Sequence, residues 1–159
     1  MQSTQSLEIK AGLQVLKPIN EVFEAIVDPG KMKNYFISKS SGYMKEGETL
    51  TWKFPEMDME FPVKVDKIEK DSYISYYWTD IADNTETFVE IKLTETEKGV
   101  TFIQITEKSR PNDDAGIGWL KRNTEGWANF LACLKAWMEY GINLRKGAFT
   151  PSQMPKKEN

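Results

Sequence analysis

A chain of 159 residues with a formal charge of −3 and no histidine is sized for one domain, able to bury roughly 70% of its unfolded surface. It lacks the net basic face that nucleic-acid backbones require. It also lacks the side chain that most often acts as a neutral-pH base or metal ligand, so serine–histidine triads and HExxH zinc sites are excluded. A single cysteine rules out intramolecular disulfides and Cys-rich zinc sites and points to a reducing compartment. Met1 to Ser6 is polar, without the basic-then-apolar pattern of a signal peptide, and no run of about eighteen apolar residues is present to span a membrane. A cytoplasmic protein is expected.

Leu7, Ile9, Ala11, Leu13 and Val15 alternate with Glu8, Lys10, Gly12 and Gln14, the period of a half-buried strand. Pro18 suits a helix start, and Val22, Phe23 and Ile26 share one side of the next turns, so a short helix is expected from about Pro18 to Val27. Asp28-Pro29-Gly30 stops it. A second short helix is expected over Gly30 to Tyr35, ending in the pair Tyr35-Phe36.

From Lys39 to Lys108 the pattern is strand and turn. Gly42 and Gly47 bracket a short strand or hairpin arm; Leu50, Trp52 and Phe54 then share a face, and Pro55 to Asp58 reads as a turn. Phe61, Val63 and Val65 follow, with Pro62 marking an edge or bulge. After a tight turn at Lys70-Asp71 come Ile74, Tyr76 and Trp78, then a polar loop from Asp80 to Asn84. Val89, Ile91 and Leu93 precede Thr96 to Gly99, and Thr101, Ile103 and Ile105 close the series. Strands joined by such short links pair antiparallel.

Arg110 to Asp114 breaks the last strand and offers oxygens to cap a long helix, expected from Asp114 to about Lys146. Leu120, Thr124, Trp127, Leu131, Leu134, Met138 and Ile142 form one row at three- and four-residue steps. Trp119, Asn123, Phe130, Trp137 and Gly141 form a second beside it. The combined arc is wider than the about 100° of an ordinary amphipathic helix, so this helix must cover something large. Gly116 and Gly118 are expected to fray its first turn. Residues 1–150 read as one domain and 151–159 as a flexible polar tail.

The order of these elements resembles the helix-grip fold of the START/SRPBCC (Bet v 1-like) superfamily. Within it the chain resembles an AHSA1-like domain, named for the activator of Hsp90 ATPase. The matching residues are Pro18 with Val22-Phe23 and Ala25-Ile26, Asp28-Pro29 with Tyr35-Phe36, and Gly47. They continue with Ile74-Ser75-Tyr76-Tyr77-Trp78, Gly99-Val100-Thr101, and Gly126-Trp127 with Leu131 and Leu134. Tyr35 departs from the tryptophan often found there. The resemblance spans about residues 7–146 and implies an α+β fold: a curved antiparallel sheet of about seven strands wrapped around a long C-terminal helix, with two short helices after the first strand. It further implies noncatalytic binding of a small hydrophobic molecule between helix and sheet. A protein-interaction role with an Hsp90-type chaperone is the alternative, and a cavity enzyme a weaker third. No cofactor or metal is implied.

The candidate ligand-binding residues are the aromatic set Tyr35, Phe36, Trp52, Phe61, Tyr76, Trp78, Trp127 and Phe130, which suits either a cavity wall or plain core. Leu131 and Leu134 on the same helix face join them. Asn123 and Thr124 are polar residues inside the apolar arc, where an unpartnered buried group costs about 1–3 kcal/mol, so each either bonds to protein, water or ligand or is solvated at an exposed cavity mouth. Gly126 costs a mid-helix position about 1 kcal/mol relative to alanine; close packing, or room for a ligand beside Trp127, would explain it, and close packing is the favoured reading. Glu86, Glu90, Glu95 and Glu107 fall in or near strands, with Glu90 on the solvent face and no catalytic role assigned to any. Cys133 reads as an inert, partly buried thiol. No GxGxxG, GxxxxGK[ST], CxxC or EF-hand pattern occurs.

Overall fold

The computed structural model describes residues 5–153. Its strands are β1 (Ser6–Val15), β2 (Lys39–Ser40), β3 (Thr49–Lys53), β4 (Glu60–Glu69), β5 (Tyr73–Thr79), β6 (Glu86–Glu97) and β7 (Val100–Pro111). Its helices are α1 (Ile19–Val27), α2 (Pro29–Met32) and α3 (Asp114–Tyr140). The strands form one seven-stranded antiparallel sheet in the order β1-β7-β6-β5-β4-β3-β2, which is the α+β helix-grip arrangement. The hairpin turns place Asp71 and Gly99 in the left-handed region, at φ of 61° and 80°, a conformation glycine adopts without steric cost.

Curvature has local causes. The register slips opposite Leu7 and Glu8 of β1, where β7 carries Ser109 as an extra residue, between Val65 and Lys67 of β4, and between Glu95 and Glu97 of β6. Each extra residue bends its strand and increases the local twist. The hollow side of the sheet carries Trp52, Phe61, Val63, Tyr76, Val89, Ile91, Ile103 and Ile105, all buried. The C-terminal part of α3 is pinned to the edge strand: Lys135 Nζ donates to the Gln14 carbonyl at 2.9 Å and Glu139 accepts from the Leu16 N–H at 3.0 Å.

Three local expectations are corrected and a fourth is narrowed. There is no strand between Gly42 and Gly47; the short strand comes earlier, at Lys39–Ser40. The Ser40 hydroxyl closes a turn on Gly42, and the Met44 N–H bonds to the Val27 carbonyl at 3.1 Å, drawing the segment toward α1. Pro62 does mark an edge, since pairing of β4 with β5 begins only at Val63, and the bulge in β4 falls farther along, at Asp66. Helix α2 ends at Met32, and the Tyr35 hydroxyl turns inward to the Ala25 carbonyl at 2.6 Å. Helix α3 ends at Tyr140, not near Lys146. Gly141 adopts φ of 68° and returns its N–H to Trp137, the left-handed glycine stop of many helices, so Ile142 is 51% exposed rather than part of the helix face.

The start of α3 is firm rather than frayed. Asp113 accepts from the Gly116 N–H at 2.8 Å, and Gly116 is buried where a Cβ would lie 1.9 Å from the Pro111 carbonyl oxygen. Of the expected tail, Pro151–Gln153 make a single 3-10 turn; residues 154–159 lie outside the described residues. Among the described residues no helix is long and apolar enough to cross a membrane.

Candidate ligand-binding site

A cavity of about 260 Å³ lies between α3 and the β3–β5 side of the sheet. Phe36, Phe54, Phe61 and Trp78 supply its aromatic walls, and Asn123, Gly126 and Trp127 its helical wall. Asp80, Arg122, Glu125 and Asn129 bring polar groups, and Arg145 with Phe149 adds a wall from beyond the end of α3. Trp78 and Trp127 stack across the gap between sheet and helix, with ring centroids 5.3 Å apart and an interplanar angle of 27°.

Gly126 decides between the two readings of its position. A Cβ built there would meet no atom within 4 Å, so close backbone packing does not explain it; Gly126 is exposed where it lines the cavity.

Behind these walls sits a carboxyl group absent from the expected site. Thr101, Ile103, Ile105 and Glu107 occupy alternate positions of β7 and are all fully buried. Glu107 therefore points inward. Trp127 Nε1 donates to it at 2.8 Å, Trp78 Nε1 at 2.9 Å, the Thr87 hydroxyl at 2.5 Å and Asn123 Nδ2 at 3.1 Å. Trp119 Nε1 stands farther off, at 3.4 Å. The indoles can only donate, so all three turn their one polar atom to a single acceptor. The carboxyl thereby joins β5, β6 and β7 to α3. Burial, reinforced by the charge of Glu107 and by Tyr35, pushes the Tyr76 hydroxyl well above its ordinary pKa.

Two ion-pair groups brace the polar parts of the cavity. Arg110, itself buried, bonds Asp83 at 2.5 Å and Asp80 at 3.4 Å, and Arg122 from α3 reaches Asp80 at 3.0 Å. Together they tie the Asp80 to Asn84 loop to the last strand and to the helix. Burial tends to raise the Asp83 carboxyl pKa, but its Arg110 and Thr85 hydrogen bonds outweigh this and hold it below the ordinary value. On the other side Arg145 grips Glu56 with two bonds of 2.9 Å. Its guanidinium lies over the Phe54 and Phe149 rings, at 5.3 and 5.1 Å, a favourable cation–π arrangement.

Of the twelve expected site residues, Phe36, Phe61, Trp78, Asn123 and Trp127 line the cavity. Tyr35, Trp52, Tyr76, Phe130, Leu131 and Leu134 lie behind them as core, each at most 2% exposed. Phe130, for example, packs edge-on to Phe36 with centroids 4.7 Å apart. Thr124 is exposed, and its hydroxyl donates back to the Leu120 carbonyl one helical turn earlier at 2.5 Å. Its place in the apolar row reflects sequence spacing, not burial. Arg145 and Phe149 were missed because the helix was expected to run past its actual end, whereas Phe54 was placed on the face of Leu50 and Trp52 but not carried into the site. Glu107 was missed although its signal was present, as it continues the row of Thr101, Ile103 and Ile105. Cys133 is buried, and burial pushes its thiol pKa up. Among the described residues no group of three or more His, Cys, Asp or Glu side chains is placed to hold a metal ion.

Solved structures repeat this architecture. The protein SSP2350 from Staphylococcus saprophyticus is 32% identical, with a TM-score of 0.76 over 87% of this chain and 96% of that one. The Aha1 dimer from Colwellia psychrerythraea, at 20% identity and a TM-score of 0.71, covers 85% and 98% of the two chains. DynU16, a putative protein in the dynemicin biosynthetic locus, is 22% identical with a TM-score of 0.75; the match covers 86% of this chain and 48% of that one. These last two likenesses establish fold alone. No curated protein matches the chain. The model of one family, described as activator of Hsp90 ATPase homolog 1-like protein, matches residues 17–139, and on that match, with the sheet and helix arranged as above, the chain belongs to the AHSA1 family within the START/SRPBCC superfamily.

Proposed function

We propose that the protein is a noncatalytic binding domain that holds a small hydrophobic molecule between α3 and the sheet. The observation that carries this reading is the aromatic cavity, with a mid-helix glycine exposed on its helical wall. A helix interior normally disfavours glycine by about 1 kcal/mol, and no neighbouring backbone accounts for it at Gly126. Affinity would come from apolar burial, about 25 cal/mol per Å² before the costs of association. The carboxyl of Glu107 serves as the shared acceptor of its neighbours and does not line the cavity, which favours binding over acid–base chemistry at that group.

The test is tryptophan fluorescence titrated with naphthalene-sized aromatic probes, paired with native mass spectrometry of gently purified protein. A saturable signal and a retained small-molecule mass are expected. A flat titration together with an unliganded mass would reject the reading.

A protein-interaction role is a second reading, favoured by the family description and by exposed Tyr140, Ile142 and Leu144 at and just past the end of α3. Co-purification with an Hsp90-type chaperone at high protein concentration tests it, and a lack of complex there would dismiss it.

A further inference from the structure

On the side of the cavity toward Glu107, the lining residues Trp78, Trp127 and Asn123 carry three donors, the two indole Nε1 atoms and Asn123 Nδ2. All three belong to cavity-lining residues, and all three donate to Glu107, which lies outside the lining. The cavity therefore meets the rings of these residues while their hydrogen-bond donors face away. Polar side chains of the lining left without partners among the described residues are Thr79, Glu125 and Asn129.

We propose that Glu107 is the positioning residue that sets ligand class in this cavity: by holding these three donors away from the ligand, it makes the inner wall accept a flat apolar end lacking hydrogen-bond acceptors. Polar substituents are directed instead toward Thr79, Glu125 and Asn129. This inference rests on the binding function proposed above. Glu107 itself does not touch the ligand. Its influence runs through the orientation of Trp78, Asn123 and Trp127, and it selects because an acceptor pushed against the inner wall loses its water and finds no donor in exchange.

A Glu107→Gln substitution tests this. The amide replaces one acceptor oxygen with a donor, so the surrounding donors compete for one oxygen and a cavity residue is released to turn toward the ligand. Two probes of nearly equal size are compared by fluorescence titration, 2-ethylnaphthalene and 2-acetylnaphthalene, which differ by a carbonyl acceptor. Wild-type protein is expected to favour the ethyl compound by about tenfold, the ratio that corresponds to about 1.4 kcal/mol, and Glu107→Gln to reduce that preference at least about threefold. If both probes weaken by the same factor, Glu107 is only a structural support and the proposal fails. If wild-type protein binds neither probe, it falls together with the binding function itself.

A second measurement needs no variant. In wild-type protein saturated with either probe, the indole N–H resonances of Trp78 and Trp127 are expected at nearly the same positions in proton–nitrogen NMR spectra, because both stay bonded to Glu107. Displacement of either resonance by 2-acetylnaphthalene and not by 2-ethylnaphthalene would show a donor turned to the ligand carbonyl and would overturn the proposal.

Discussion

Gly126 and Gly116 are both glycines of one helix, yet substitution should affect them in opposite ways. At Gly126 a methyl group meets nothing within 4 Å, so Gly126→Ala should raise stability by up to about 1 kcal/mol through helix propensity while weakening ligand affinity by filling the wall of the cavity. Thermal denaturation and a probe titration on the same sample check both halves. At Gly116 the added carbon would sit 1.9 Å from the Pro111 carbonyl oxygen. Gly116→Ala should therefore lower stability by about 1–3 kcal/mol, as forced overpacking does, measured by denaturant unfolding. Neither outcome was legible in the sequence, where the two positions differ only in their distance from the helix start. What separates them is a carbonyl from the preceding strand, and such a contact exists only after folding. Glu107 is the contrary case. The alternation in β7 placed it inward, but the habit of assigning acidic residues to water concealed it. Its burial is tolerable because Trp78, Thr87, Asn123 and Trp127 all supply hydrogen bonds.

Among the elements, α3 carries most of the site, and the sequence foretold its apolar arc better than its end. The rows containing Trp119, Trp127, Phe130, Leu131 and Leu134 are buried as their spacing requires. The glycine stop after Tyr140 was harder to place, since Gly141 and Gly147 both take positive φ, at 68° and 70°, and only the first caps the helix. Ending there lets the following segment fold back and set Arg145 against Glu56. Arg145→Ala should speed ligand release and cost about 1.5–3 kcal/mol of stability, the scale of hydrogen bonds to charged groups; stopped-flow dissociation and chemical unfolding would measure the two effects. Removing the central carboxyl should be more damaging. Glu107→Ala would leave several buried donors unpaired, each costing about 1–3 kcal/mol, so a total loss above about 3 kcal/mol is expected in urea unfolding, with α3 loosened from the sheet as seen by hydrogen exchange.

Across the whole molecule, antiparallel pairing of successive strands followed from short links, while the place of β1 beside β7 and the curvature did not. The bulges that bend β4, β6 and β7 leave no mark in hydrophobic alternation beyond a slip of one residue. Stability should fall at both ends of the pH range. Tyr43 and Tyr73 have their hydroxyl pKa values raised to about 12, first by burial and then by hydrogen bonds to Glu24 and Glu90. A raised folded-state value means their contribution is full below the unfolded value of about 10 and disappears as pH climbs from there to about 12. At the acid end, Asp83 and Glu139 are held below their ordinary values. Burial opposes this at both, but the bonds from Arg110 and Thr85 at Asp83, and from Lys135 and the Leu16 N–H at Glu139, prevail. Their contribution is present above the unfolded carboxyl range near pH 4 and is lost as pH drops through the depressed values. Thermal midpoints measured across pH should decline on both flanks, and replacing Tyr73 by phenylalanine should soften the alkaline decline.

The stacked pair of Trp78 and Trp127 also gives the protein a built-in optical gauge. Two indole chromophores held 5.3 Å apart at 27°, one on the sheet and one on the helix, should couple their electronic transitions and leave a split band in circular dichroism. A guest that pries the rings apart would collapse that band, so occupancy could be followed on unlabelled protein by light alone.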